Sequence, residues 1–254
     1  MFTRDLIYHV CPLRGNDIWR LNIEQLLARI EIFNGRRVIA IATCDDEKLH
    51  PAEEAMRMFR GHSVQFIKVA NDRNLRETAS FRPLLDAVET LNPNVVCFYA
   101  HTKGNSTVAS VEGATYWRNV MYHKLLDEWQ YRMSDLAEGH AAVGTHLLSW
   151  PKGVRSPYPS RLMHGQWMFA GTFFWFRSQR VFSHDQWHIV PRDRYGTEAY
   201  LSGIFEEHQV KCCWKPWPGK GDGRHASMSY EPELYQRLQM CIVDAELRRP
   251  MYYI

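Results

Sequence analysis

The sequence predicts an α/β fold: a mixed, mostly parallel sheet flanked by helices, in one domain. Three observations predict it. Short apolar or β-branched runs alternate with helix-spaced apolar patterns through residues 1–104. The connections between them are short, as expected where helices cover both faces of a parallel sheet. The most apolar of the runs, 95–99, is opened by Asn92-Pro93-Asn94 and ends abruptly in His101-Thr102-Lys103-Gly104. That is the pattern of a buried central strand that delivers polar side chains into a crevice, and in open α/β sheets ligands bind just outside the carboxyl ends of the strands.

The elements follow in order. Residues 6–10 form a first strand, stopped by Cys11-Pro12. Asp17 stands where a helix cap belongs, and Trp19, Ile23, Leu26, Leu27, Ile30 and Phe33 recur at helical spacing before Asn34-Gly35 supplies a stop. The run 37–43, RVIAIAT, is a second strand closing in Cys44-Asp45-Asp46. Pro51 opens a helix over AEEAMRMF that should end by Gly61. A third strand covers 63–70. Phe81, Leu84, Leu85, Val88 and Leu91 mark the next helix, with Pro83 obscuring its start. The central strand completes a β-α-β-α-β-α-β order.

Downstream the rhythm changes. Trp117, Met121, Leu125, Trp129 and Met133, spaced by four, place a core-facing stripe along one long helix. Residues 141–148 read as a strand. The segment 149–165 holds three prolines, three cations and no acid, and a loop of that length within a domain is commonly a lid or binding loop. Residues 166–177 read as one strand with an aromatic face. Thr197 is a cap for a helix carrying Glu198, Tyr200, Leu201, Ile204 and Phe205. Residues 210–214 are a last strand, 216–223 a loop, and Pro232 opens a terminal helix.

Composition narrows the function. Apolar content of 45% is enough for a full core, and no linker divides the chain. A net charge of +3 falls far short of a general nucleic-acid binder and suits a few cations reserved for an anionic ligand. Nine Trp and twelve Tyr are platforms suited to sugars, although Trp is equally a core residue. None of the six cysteines forms a CxxC pair, which argues against a zinc knuckle, and three lie in strand-like runs as small hydrophobes. The N-terminus lacks a signal-peptide pattern, and the longest apolar run, 167–176, falls short of the ~20 residues of a membrane helix. A cytoplasmic, reduced protein without a transmembrane segment is expected.

No GxGxxG, P-loop lysine motif or GxSxG elbow is present. The candidates for chemistry are instead polar strand ends. The turn 12–16, with Pro12 and Arg14, is either a phosphate-binding helix start or an ordinary turn. Asp45 and Asp46 either accept hydrogen bonds from a nucleoside or cap a helix. Lys103 can neutralise a diphosphate, and His101 can bind a metal, donate a hydrogen bond or serve structurally. Glu198, after Arg192 and Arg194, is either a general base or a first-turn acid favoured by the helix dipole. The glycine-rich stretch 220–225, with Arg224 and His225, either folds over a phosphate or connects elements.

The order of these elements resembles the GT-A type glycosyltransferases, Rossmann-type folds that move a sugar from a nucleotide-sugar donor to an acceptor. The turn 12–16 is similar to the first-strand entry of that superfamily, and RVIAIATCDDE to its second strand, whose terminal acids contact the nucleoside. This implies Asp45 or Asp46. GTFFWFRSQRV, 171–181, resembles the strand and turn on the acceptor side. RYGTEAYLSGIFEEHQVKCCW resembles the segment whose helix-opening acid is the catalytic base, which implies Glu198. The HTKG and GTFFWF pieces are similar to bacterial polysaccharide-type transferases related to rhamnan synthesis proteins. The resemblance implies a nucleotide-binding half, 1–104, and an acceptor and catalytic half, 105–254.

One departure matters. The metal-binding D-x-D of the superfamily is replaced by His101-Thr102-Lys103. An acidic pair would hold Mn²⁺ or Mg²⁺ on the donor diphosphate. Either the enzyme works without a metal, Lys103 and nearby arginines such as Arg14 and Arg224 offsetting the diphosphate charge, or His101, with His225 as a further candidate, joins another acid around a metal. The first is the reading carried forward. The expectation is an inverting transferase acting on a glycan or other hydroxyl acceptor, with Trp150, Trp167 or Trp175 stacking on acceptor sugars. The alternatives are a non-catalytic nucleotide-sugar or glycan-binding protein on a decayed transferase fold, and a nucleic-acid-interacting protein, which the modest net charge disfavours.

Overall fold

The computed structural model describes residues 1–44, 48–103, 111–149 and 167–214, with 111–114 and 116 described as backbone. A seven-stranded sheet organises them. The strands are β1 (Thr3–Val10), β2 (Arg37–Thr43), β3 (Gln65–Ala70), β4 (Val95–His101), β5 (Ala142–Thr145), β6 (Leu147–Ser149), β7 (Trp167–Phe169), β8 (Phe174–Arg177) and β9 (Val210–Trp214). The order in the large sheet is β3-β2-β1-β4-β8-β5-β9, and β6 pairs with β7 in a small separate ribbon. The sheet is mixed and mostly parallel: β8 runs antiparallel to both its neighbours, β4 and β5, and every other pair is parallel.

Helices cover both faces. They are α1 (Ile18–Leu27), α2 (Ala52–Met58), α3 (Thr78–Ala87), α4 (Val111–Tyr122), α5 (Trp129–Ala137), α6 (Ser178–Phe182) and α7 (Gly196–Tyr200). Strand alternation sorts the core into two layers. Leu6, Tyr8 and Val10 of β1 join Trp19, Ile23, Met121, Leu125 and Trp175 on one face. Ile7, with Cys97 and Tyr99 of β4, joins Phe81, Leu84, Phe174 and Tyr200 on the other. β4 is buried along its whole length, as its unbroken apolar run requires.

Several expectations need correction. The run 141–148 is two strands, broken at His146, whose φ is +56°. The run 166–177 is also two strands, broken at Gly171 (φ +97°) and Thr172 (φ +64°). The breaks are joined, since the Ala170 N–H donates to the His146 carbonyl at 3.0 Å. Together they turn β6 and β7 out of the large sheet and over its rim. The expected long helix is interrupted by a π-helical segment, His123–Asp127. A strict four-residue stripe drifts by roughly 40° per step on a 3.6-residue helix, and the wider turn absorbs the drift. Asp17 does not cap α1 with its side chain; it pairs with Arg20 at 3.1 Å, and Asn16 Oδ1 accepts the Ile18 N–H. α7 starts at Gly196, so Thr197 lies inside it and Tyr195 at its cap. Trp167 and Trp175 are core residues, 2% and 0% exposed, their indole N–H groups donating to Phe205 and Leu125 carbonyls, so neither offers a sugar platform. The loop 216–223, the terminal helix and Trp150 lie outside the described residues, as does the candidate lid apart from Ser149, the last residue of β6.

Candidate active site at the carboxyl rim of the sheet

The carboxyl ends of β1, β3 and β4 open into one cavity of about 490 Å³. Sheet register builds its floor. His9 of β1 lies directly beside His101 of β4, and alternation sends Tyr8 and Ala100 to the opposite face. Beyond the strands the pairing continues: the Thr102 N–H donates to the His9 carbonyl at 3.0 Å, and the Cys11 N–H to Thr102 Oγ1 at 3.1 Å. The β3–α3 loop contributes Asp72, Arg73, Arg76 and Glu77; Trp117, Arg194, Tyr195 and Glu198 complete the lining with others.

Lys103 is held by its backbone rather than its charge. The buried Asn22 side chain donates to the Lys103 carbonyl at 3.1 Å and accepts the Lys103 N–H at 3.2 Å. The Nζ lies 4.3 Å from the centre of the Trp117 ring, and among the described residues it pairs with no carboxylate. A cation resting on an aromatic face remains available to an anion.

Glu198 reaches the same cavity from α7. Gly196 opens α7 against the Pro191 carbonyl, where any side chain would collide. Thr197 is fastened to Thr78, hydroxyl to hydroxyl at 3.2 Å and N–H to hydroxyl at 3.3 Å. These contacts fix α7 so that the next residue faces the cavity. Burial pushes the Glu198 carboxyl up to about 7, with Glu77 adding to the rise; Lys103, the Gly171 N–H and the Thr172 hydroxyl oppose it. A carboxylate that titrates near neutrality is matched to proton abstraction at that pH.

The two histidines are neutral. Burial lowers His9 to about 4, against the pull of Glu77, and His101 to about 3, with the Lys103 charge adding to the fall. Ser80 Oγ donates to the Glu77 carbonyl at 2.9 Å, so the 2.7 Å contact with His9 uses the proton on His9 Nδ1. His101 Nε2 lies 3.3 Å from the Gly171 carbonyl, which can only accept, so the proton sits on Nε2. His101 thus acts as a hydrogen-bond donor.

The charge balance favours an anion. Among the described residues five cationic side chains line the cavity, Lys48, Arg73, Arg76, Lys103 and Arg194, against three acidic ones, Asp72, Glu77 and Glu198. Asp72 is partly committed to its own turn, accepting the Asn74 and Leu75 N–H groups at 2.8 and 3.1 Å. Low-dielectric walls carrying excess positive charge concentrate phosphates. The same balance repels a divalent cation, His101 has spent Nε2 on a carbonyl, and among the described residues no three His, Cys, Asp or Glu side chains converge as metal ligands. The described residues do not fit the metal that a D-x-D would hold.

Lys103, His101 and Glu198 therefore share one cavity. Arg14 stands apart: it is exposed, and its Nε donates to the Leu49 carbonyl at 2.9 Å. Pro12 is buried and accepts the His50 N–H through its carbonyl, which ties the first turn to residues 48–50; from that turn it is Leu13, not Pro12 or Arg14, that lines the cavity. Asp45, Asp46, Arg224 and His225 lie outside the described residues. Sequence reasoning missed His9, hidden inside an apolar strand, and the 71–77 loop. The latter carried a readable signal, because NDRNLRE is as abrupt a polar strand end as the others.

No protein-family model and no curated protein matches the sequence. Among solved structures, one titled 4-diphosphocytidyl-2C-methyl-D-erythritol synthase aligns over 97% of this chain and 99% of its own, at 10% identity and a TM-score of 0.40. A likeness that slight bears on neither substrate nor reaction.

Proposed function

We propose that the chain is a nucleotide-binding transferase and, more finely, a glycosyltransferase that moves a sugar from a nucleotide-sugar donor to a hydroxyl of a glycan or other acceptor. The observation that carries this reading is the single cavity in which a cationic rim around Lys103 faces a carboxyl group, Glu198, whose proton is lost near neutrality. The donor diphosphate lies against Lys103, Arg76 and Arg73, which supply as fixed charge what a metal would otherwise provide. Glu198 takes the proton of the acceptor hydroxyl as its oxygen attacks the anomeric carbon. The bond from that carbon to the diphosphate oxygen breaks, and the leaving group departs with the electron pair into the cationic wall. Attack from the side opposite the diphosphate inverts the anomeric centre.

The test is donor turnover. The full chain, mixed with a panel of nucleotide sugars, should release nucleoside diphosphate from one of them, slowly with water and faster with the right acceptor, and a chelator should not abolish release. Glu198→Gln should stop transfer and keep donor binding. Heat of binding without turnover would instead identify a non-catalytic nucleotide-sugar binder, and no heat from any donor would overturn the reading altogether.

A further inference from the structure

α1 carries one residue that its own pattern does not ask for. The face it turns to the core is Ile18, Trp19, Asn22, Ile23 and Leu26, apolar at every position but one. Asn22 is fully buried there. Asparagine is a poorer helix former than leucine, and a buried amide is costly unless its donors and acceptor are satisfied. Here all are. Asn22 Nδ2 donates to the Ile18 carbonyl at 2.7 Å and to the Lys103 carbonyl at 3.1 Å, while Oδ1 accepts the Lys103 N–H at 3.2 Å. The two bonds to Lys103 reproduce what a neighbouring strand gives, since a residue in an antiparallel pair exchanges both N–H and carbonyl with one partner. They come where the sheet has run out: β4 ends at His101, and its pairing with β1 is carried one residue further by the Thr102 N–H on the His9 carbonyl.

We infer that Asn22 is a positioning residue: its amide clamps the backbone of Lys103 just past the end of β4, and so sets where the Lys103 ammonium stands in the cavity and how tightly the cavity holds a diphosphate. Fixing the N–H and the carbonyl together fixes the direction of the side chain between them. The ammonium then lies 4.3 Å from the centre of the Trp117 ring, on α4, and Lys103 lines the cavity. α4 is joined to the same point a turn further on: the Tyr122 hydroxyl donates to the Asn22 carbonyl at 3.3 Å, and accepts from the Tyr8 hydroxyl at 3.1 Å. Asn22 is thereby where α1, α4, β1 and the end of β4 are tied together. Its part in donor binding rests on the transferase reading. Its hold on Lys103, and through Lys103 on an anion, does not.

The experiment is a double-mutant cycle, read by calorimetry of the full chain with inorganic pyrophosphate. Lys103→Met should weaken binding about tenfold, the lower end for losing a hydrogen bond to a charged group. Asn22→Leu suits both the helix and its apolar face. It should weaken binding about three- to tenfold in the parent but less than about twofold on top of Lys103→Met, because a positioning residue loses its effect once the group it positions is gone. Asn22→Ala removes the same amide without added bulk, and should give the same pattern even where Leu is not accommodated. Leu26→Ala, one turn along the same face, should lower the melting temperature and leave pyrophosphate affinity unchanged, which separates positioning from general damage to α1. A parent that takes up no pyrophosphate, Asn22 variants that bind it as the parent does, or equal losses in both backgrounds would each overturn the inference. If the cycle is coupled but no nucleotide sugar is consumed, the transferase reading fails and the positioning stands. If donor is consumed and the cycle is additive, the reverse holds.

Discussion

The two ends of the β1 strand carry similar charged residues in opposite states. At its amino end Arg4, Asp5, Arg36 and Arg37 are all engaged. The buried Asp5 receives the Arg36 backbone N–H at 2.7 Å and its guanidinium at 2.7 Å, and that guanidinium also donates to the Ala87 and Val88 carbonyls. Arg4 donates to the Ile32 and Phe2 carbonyls, and Arg37 to those of Phe33 and His62. Gly35 is required there because a side chain would strike Asp5. At the carboxyl end Lys103 rests on an indole, and Glu198 is kept half-protonated at neutral pH. A saturated network holds a fold together; an unsaturated one around a cavity is prepared for something that is not part of the chain.

Substitutions should separate the two ends cleanly. The largest effect is expected from Glu198→Gln, with turnover falling about 10²–10⁴-fold, the usual contribution of a general base, and no loss of melting temperature. Next comes Asp5→Ala at the saturated end. It strands the Arg36 N–H and breaks the ion pair, and chemical denaturation should show a loss of about 2–4 kcal/mol, reduced from the fully buried case because Arg36 is half-exposed, with donor affinity unchanged. Lys103→Met, which keeps the packing on Trp117, should lower turnover about 10–100-fold and leave stability near that of the parent.

Smaller effects come from pH. The folded chain holds the Glu198 proton up to about 7, above the ordinary 4.5, so folding takes up a proton between those values. This contribution lowers stability as pH rises through that window and is constant above it. Turnover runs the other way, rising through pH 7 as the base ionises. His9, His101 and His146 have the opposite linkage: burial keeps them neutral down to about 4, 3 and 3, so their contribution is full above 6.5 and is lost as pH falls below it. Urea titrations of the parent and Glu198→Gln between pH 5 and 8 should differ in slope by this one group. The smallest effect belongs to Arg14→Ala: the exposed side chain does not itself line the cavity and is spent on the Leu49 carbonyl, so donor affinity should change less than about twofold.

What the sequence determined alone was local. The strands Arg37–Thr43 and Val210–Trp214 occur residue for residue where β-branched and apolar runs place them, and β4 extends the expected strand only to His101. Burial on a pleated surface writes a period into the chain, and that period can be read without the partners. The polar strand ends were legible for the same reason, since a buried strand must shed its apolar character where it meets water.

Tertiary structure decided the rest. No local propensity asks for positive φ at Ser63 or Thr172, and at His146 it is at most tolerated. At His146 and at the Gly171-Thr172 turn contacts from distant residues hold the break, and two apparent strands each split between sheets; the third strand starts late, at Gln65. Which cations face the cavity is likewise a matter of direction, not of residue type: Arg14 turns to a backbone carbonyl, whereas Arg76, in a loop the sequence reading passed over, lines the cavity. A single sequence encodes what each residue prefers to bury, while the direction in which a surface charge points is set by packing between segments far apart in the chain.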